Sequence, residues 1–419
     1  MDKEQIKRII VSNQQYVQKV KLMQRDFYFE EMGNYVFIGI RRAGKSFLMF
    51  QRIQEMLSTG ISSEQILYIN FEDDRLINLT IEDLDLIFRS YGELYAHKPI
   101  FFFDEIQIVP GWEKFVRRLA DNNYRVYVTG SNAKMLSNEI MTTLGGRFLV
   151  KEVYPFSLKE IFSYNGIDTR SKQWKYDENT FSKAMRLFND YFYNGGFPEL
   201  LHFEQKREWL RGLYQKIFFG DIVTRYNVRN KESLRLLVKK LAETVKHPVS
   251  YNRLKNTLAS AGADISINTV PQYLNYLSES ILIFSIRNFI GSFSEKELSK
   301  KYYFTDNGIL NLFLFDPETA LMENLVALTL YKKYKDELYF YNKNVEADFY
   351  VPKEKLLVQA CLKISDDKTF IREVSSLSSA AKYLKSERQL IITKDDELSI
   401  DEGDVHIEVI PVWKWLLYS

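Results

Sequence analysis

The sequence predicts an α/β chain that opens with a parallel sheet covered by helices on both faces. Three observations predict it. Short, wholly apolar runs such as Ile100-Phe-Phe-Phe103 recur through residues 35–154, as expected of strands buried on both sides. Helical patterns separate those runs. A glycine-containing turn, Gly39–Ser46, joins the first run to the first long helix.

The elements follow in order. Residues 1–30 read as a polar helical lead-in. Strands are expected at 35–38, 66–71, 100–103, 125–128 and 148–154, with helices at 46–57, 81–95 and 112–120. After Pro155 the character changes. Residues 156–245 read as a mostly helical segment broken by Asn194-Gly-Gly-Phe-Pro198. Residues 250–260 and 267–278, separated by Gly262, have the pattern of a helix–turn–helix, with Pro271 in the first turn, where proline is tolerated. From Tyr302 onward helix and strand alternate, with strands expected at 338–340, 347–351, 355–361, 389–393 and 405–411.

Composition bounds the possibilities. At about 150 residues per domain, 419 residues correspond to roughly three domains. With 46% hydrophobic and 27% charged residues, only 18 Gly and 9 Pro and no low-complexity tract, a disordered or fibrous chain is excluded. No apolar stretch is long enough to span a bilayer, and the N-terminus MDKEQIKRII is charged where a secretory leader is apolar. A single cysteine, Cys361, and four histidines argue against internal disulfides and structural zinc. These features predict a cytoplasmic protein with no membrane partner. The net charge of +2 is unevenly spread: residues 205–256 hold 13 Lys/Arg against 4 Asp/Glu, a local +9. Such a segment either faces a polyanion or forms a solvated helical face.

Gly39-Ile-Arg-Arg-Ala-Gly-Lys-Ser46 fits G-x-x-x-x-G-K-[ST] at every fixed position. Gly39 and Gly44 let the backbone curl so that N–H groups, that of Ala43 among them, converge on phosphate. Lys45 brings charge to the β/γ-phosphates, and the Ser46 hydroxyl ligates Mg²⁺. The helix beginning there, with Phe47 in its first turn, adds its positive end. Arg41 and Arg42 are placed to touch nucleotide or a neighbouring subunit. The run ending in Asp104-Glu105 supplies an acid to steady Mg²⁺ and a second to polarise water. The fourth strand ends in Thr129-Gly-Ser-Asn132, where Thr129, Ser131 or Asn132 can orient water or the γ-phosphate. Arg147, just before the fifth strand, suits a transition-state contact to a neighbour's phosphate or an ordinary ion pair.

These stretches, GIRRAGKS, FFFDEIQ, VTGSNAKML, LGGRF, PFSLKEI and YNGGFPELL, resemble the AAA-superfamily ATPases of bacteria and archaea with a C-terminal domain of unknown function. The resemblance covers about residues 33–230 and continues more weakly to the end. It implies a P-loop NTPase sheet at 1–155, a helical lid at 156–245, a winged helix at 246–295 and an α/β nuclease-like domain at 296–419. It implies ATP and Mg²⁺ bound and hydrolysed through Lys45, Ser46, Asp104 and Glu105, a γ-phosphate sensor at Ser131 or Asn132, and an arginine finger at Arg147. It implies a nucleotide-contacting turn at Gly196 and Pro198. The choice of adenine over guanine rests on the resemblance as well.

The tail resembles a restriction-endonuclease core and departs from its pattern. Glu323 and Asp348 match two of its acids. Gln359 stands in place of the next carboxylate and Cys361 in place of the lysine, with Lys363 two residues late. An inactive nuclease-like fold is expected. The second helix of the helix–turn–helix offers Asn268, Gln272 and Asn275 but no Lys or Arg, so phosphate affinity for DNA has to come from residues 205–256. The sequence thus predicts an ATPase that couples nucleotide state to its C-terminal half, with a homo-oligomer as the arrangement in which Arg147 could reach a neighbour's phosphate. The alternatives are a nucleotide-gated regulator that binds DNA or protein with little turnover and, behind it, an active nuclease.

Overall fold

A computed structural model describes residues 2–77, 79–136, 138–263, 265–364 and 367–418. The chain folds as two compact units, Met1–Pro155 and Phe156–Ser419.

The first unit is built on five strands: β1 (Asn34–Ile38), β2 (Ile66–Asn70), β3 (Ile100–Asp104), β4 (Val126–Gly130) and β5 (Phe148–Glu152). Their order is β2-β3-β4-β1-β5, and every pairing is parallel. Parallel neighbours need crossovers, made here with helices α2 (Lys45–Ser58), α3 (Ile81–Leu94), α4 (Trp112–Asp121) and α5 (Asn138–Leu144); α1 (Lys3–Lys19) precedes them. All residues of β3 and β4 are buried, which explains their unbroken apolar runs. Phe102, Tyr127 and Tyr35 lie in one register row across β3, β4 and β1. Their rings stack at 4.6 and 5.6 Å. Such pairs add about 0.5–1.5 kcal/mol each beyond simple burial.

The helical lead-in is shorter than expected. Helix α1 ends at Lys19, and residues 20–33 are neither helix nor strand. That stretch braces the glycine loop instead: Arg25 Nη1 donates to the carbonyls of Ala43 (3.3 Å) and Tyr154 (3.1 Å).

The second unit begins with helices Leu158–Tyr164, Glu178–Asn194, Lys206–Lys216 and Lys231–Glu243, with a π-helical stretch at Ile217–Thr224. Helices Tyr251–Ser260 and Thr269–Glu279 follow. The strands are β6 (Val249–Ser250), β7 (Ile283–Asn288), β8 (Ser299–Phe304), β9 (Tyr339–Asn342), β10 (Glu346–Val351), β11 (Leu356–Ala360), β12 (Arg388–Thr393), β13 (Leu398–Glu402) and β14 (Val405–Pro411). They form one mixed sheet, ordered β13-β14-β12-β11-β10-β9-β7-β8-β6. The β7–β8 hairpin after the helix pair joins β9 in parallel, so strand pairing crosses the boundary expected at residue 295. Among the described residues, no helix is long and apolar enough to cross a membrane.

Candidate nucleotide site

In an open parallel sheet, ligands bind beyond the carboxyl ends of the strands, where the strand order reverses. Here β1, β3 and β4 are neighbours, and their carboxyl ends carry Gly39, Asp104-Glu105 and Ser131. The loop needs its glycines. A Cβ on Gly39 would stand 2.0 Å from the Val153 carbonyl oxygen. Gly44 takes φ +96° as the N-cap of α2, and the exposed Arg42 is also left-handed at φ 64°, so the loop coils back on itself before the helix starts. Ala43 is fully buried. Phe47 lies half-exposed in the first turn of α2, edge-on to Phe50.

Lys45 is buried, and its ammonium turns into the loop. Nζ lies 3.1 Å from the Gly39 carbonyl, 3.4 Å from that of Ile40, and 3.2 Å from Glu105 Oε1. Arg41 reaches Glu72 at 2.8 Å. Burial pushes the Glu105 carboxyl up, but the charge of Lys45, with Gln107 and Arg41, outweighs it and holds the group down at about 2. Glu105 is therefore an anion across the physiological range. Its backbone is left-handed at φ 54°, a conformation that costs of order 1 kcal/mol. The Glu105 N–H donates to Thr129 Oγ1 at 2.9 Å, which fixes that turn.

Asp104 is held differently. Its carboxylate accepts from Tyr68 (2.9 Å), from Thr129 and from the Ser46 hydroxyl. Burial, then the neighbouring Glu105 charge, nevertheless push its carboxyl up. A buried acid in that position is stabilised by a cation. Ser46 and Asp104, the two expected Mg²⁺ ligands, are thus in direct contact. Two further buried polar atoms, Ser131 Oγ and Gln107 Oε1, have no hydrogen-bond partner. Converging loop glycines, a buried ammonium, the Ser46–Asp104 pair and these two atoms fit a Mg-bound triphosphate.

Sequence reasoning left Thr129, Ser131 and Asn132 open. Thr129 is the side chain that ties the two acids together, while Ser131 and Asn132 are buried just beyond β4. Tyr68, Gln107 and Arg25 were missed. Only Gln107 left a trace, as the last residue of FFFDEIQ.

Arg147 lies elsewhere. It precedes Phe148, which pairs with Asn34 at the start of β1, whereas Gly39 follows the end of β1. Strand polarity therefore puts Arg147 at the amino-terminal end of the strands, opposite the end that carries its own loop. There its guanidinium pairs with Asp121.

Gly196 and Pro198 belong to the second unit, and the glycines there have a local explanation. A Cβ on Gly195 would lie 2.0 Å from Asp306 Oδ1, and one on Gly196 2.2 Å from the Phe156 carbonyl. The Gly196 N–H donates to Asp306 Oδ2 at 2.8 Å. Asn268, Gln272 and Asn275 are exposed, although Asn275 donates to Glu279 at 2.9 Å. Within the basic segment Arg235 and Lys240 pair with its own Glu232 and Glu243, and Lys206 pairs with Asp190 from outside it. In the tail, Glu323, Asp348 and Gln359 are buried and Lys363 is exposed. Burial, reinforced by nearby acids, pushes the Cys361 thiol up to about 12.

Residues 33–162 match the family model of the AAA domain. An uncharacterized protein of Methanocaldococcus jannaschii is 32% identical over 98% of this chain and 94% of its own length. The chain belongs to this family of AAA-domain proteins. A second uncharacterized relative, from Haemophilus influenzae, is 29% identical over 98% of this chain and 99% of its own. Behind the AAA domain, residues 185–319 match a domain of unknown function, across the boundaries expected at 245 and 295. Among solved structures, a Walker-type ATPase of Pyrococcus abyssi is similar at 16% identity and a TM-score of 0.43, covering 71% of this chain and 99% of that one. The AAA domain has the nucleotide-binding fold of ATPases in general, and its glycine loop and acids occupy the site described above.

Proposed function

We propose that the protein binds ATP at residues 39–46, hydrolyses it with Mg²⁺, and couples the nucleotide state to residues 156–419. The observation that carries this reading is the buried Lys45–Glu105 pair beside the Ser46–Asp104 pair. Mg²⁺, held by Ser46 and Asp104, would neutralise phosphate charge. Lys45 exchanges the loop carbonyls for phosphate oxygens. That exchange withdraws the ammonium from Glu105, whose carboxylate then orients water and accepts its proton. Ser131 and Asn132 face the γ-phosphate end. The basis for coupling is the M. jannaschii relative, which aligns with both units rather than with the AAA domain alone. The test is phosphate release from ATP: turnover in Mg²⁺ that stops on chelation and resumes when Mg²⁺ is restored. No release under either condition refutes hydrolysis.

Arg147, remote from its own loop, serves only in trans, which requires a homo-oligomer in the cytoplasm. Arg147→Ala is expected to lower turnover by about 10³-fold at concentrations where the chain self-associates, with ATP affinity retained. Equal turnover in both proteins, or a strictly monomeric wild type, contradicts that role. A second reading, DNA contact through a winged helix at 246–295 and the +9 segment, is favoured by that local charge. It predicts a mobility shift whose affinity falls steeply with salt; a salt-independent shift argues against it.

A further inference from the structure

The tail holds an unexpected charge cluster. Glu323 from helix Glu318–Tyr334 and Asp348 from β10 point at one another across the interior of the second unit. Between them lies Lys301 of β8, only 2% exposed. Its Nζ is 3.1 Å from Glu323 Oε1 and 3.1 Å from Asp348 Oδ1. The remaining partners are fixed. Tyr303 donates to Glu323 Oε1 at 2.9 Å, and the Ala360 N–H to Asp348 Oδ2 at 3.2 Å. Gln359 Oε1 accepts the Asp348 N–H at 3.1 Å. The rings of Phe340 and Phe349 lie 5.8 and 6.0 Å from the ammonium.

We propose that Lys301 is a resident cation: its ammonium fills the place between Glu323 and Asp348 that a divalent ion would otherwise take, and so closes a nuclease-like centre to metal. Three arguments support this. Two buried carboxylates cannot both be anions without a cation between them, and the lysine supplies it on a tether, with no ligand to recruit. Gln359, in place of a third carboxylate, leaves too little negative charge to favour a divalent ion over the ammonium already present. The rings of Phe340 and Phe349 give the ammonium a partly apolar surround, which suits a tethered lysine better than a hydrated ion. The inference rests on the second unit alone and is independent of the nucleotide reading.

The test is Mn²⁺ binding to the nucleotide-free full chain, followed by electron paramagnetic resonance. Wild type is expected to take up no stoichiometric ion. Lys301→Met is expected to bind one Mn²⁺ per chain, about 100-fold more tightly than wild type, and Lys301→Met with Glu323→Gln is expected to lose it. Should Lys301→Met fail to fold alone, millimolar Mn²⁺ has to restore its circular dichroism spectrum. Overturning results are stoichiometric Mn²⁺ on wild type that Asp348→Asn removes, Mn²⁺-dependent DNA cleavage by wild type that Lys301→Met abolishes, or a Lys301→Met protein that takes up no Mn²⁺.

Discussion

Glu105→Gln is expected to slow ATP turnover by about 10²–10⁴-fold while leaving nucleotide affinity near that of wild type. Glutamine keeps the size and the hydrogen-bonding reach of the side chain, so the turn held by Thr129 survives. What it lacks is the anion. In the nucleotide-free protein that anion is strongly favoured, with its carboxyl at about 2, and it becomes a useful base once Lys45 leaves it. Substitution also removes the acid that draws the ammonium away from phosphate, so affinity should hold or rise slightly. Single-turnover phosphate release beside equilibrium binding of a fluorescent ATP analogue separates the two effects. Parallel losses of binding and turnover would show that Glu105 is a structural brace instead.

Lys45→Ala is expected to weaken ATP binding by about 100-fold or more, equivalent to about 3 kcal/mol. Two losses combine. The triphosphate loses its only fully buried cation partner in the loop. The empty site also loses the charge that offsets Glu105, a carboxylate that burial disfavours, so the apo protein is destabilised as well. Thermal melting with and without Mg·ATP distinguishes them: a lower baseline melting temperature reports the stranded acid, and a missing ATP-dependent rise reports lost binding. An undiminished rise would contradict the assignment of Lys45.

Much of this site was legible because its chemistry demands fixed spacings. Glycine at 39 and 44 followed by Lys45-Ser46 has few other uses, and a wholly apolar strand ending in two acids is conspicuous. The choice among Thr129, Ser131 and Asn132 was not legible. It depends on register: Phe103 pairs with Val128, which brings the next residues, Asp104 and Thr129, side by side. The direction in which Arg147 faces likewise follows from strand polarity, which the motif alone does not state. Strand β8 was missed because Ser-Lys-Lys begins it, and Lys301 is polar yet buried. Its partners lie 22 and 47 residues away, and the lysine expected beside the acids was sought on β11. The basis for Gly195 and Gly196 was hidden in the same way, since Asp306 lies 110 residues beyond Gly196.

The most direct measurement is a crystal structure of the Glu105→Gln protein with ATP and Mg²⁺. The account predicts the triphosphate wrapped by residues 39–46, Lys45 Nζ moved from the Gly39 and Ile40 carbonyls onto phosphate oxygens, and the ion between Ser46 and Asp104. Nucleotide bound elsewhere, with Lys45 still folded against its own loop, would contradict it.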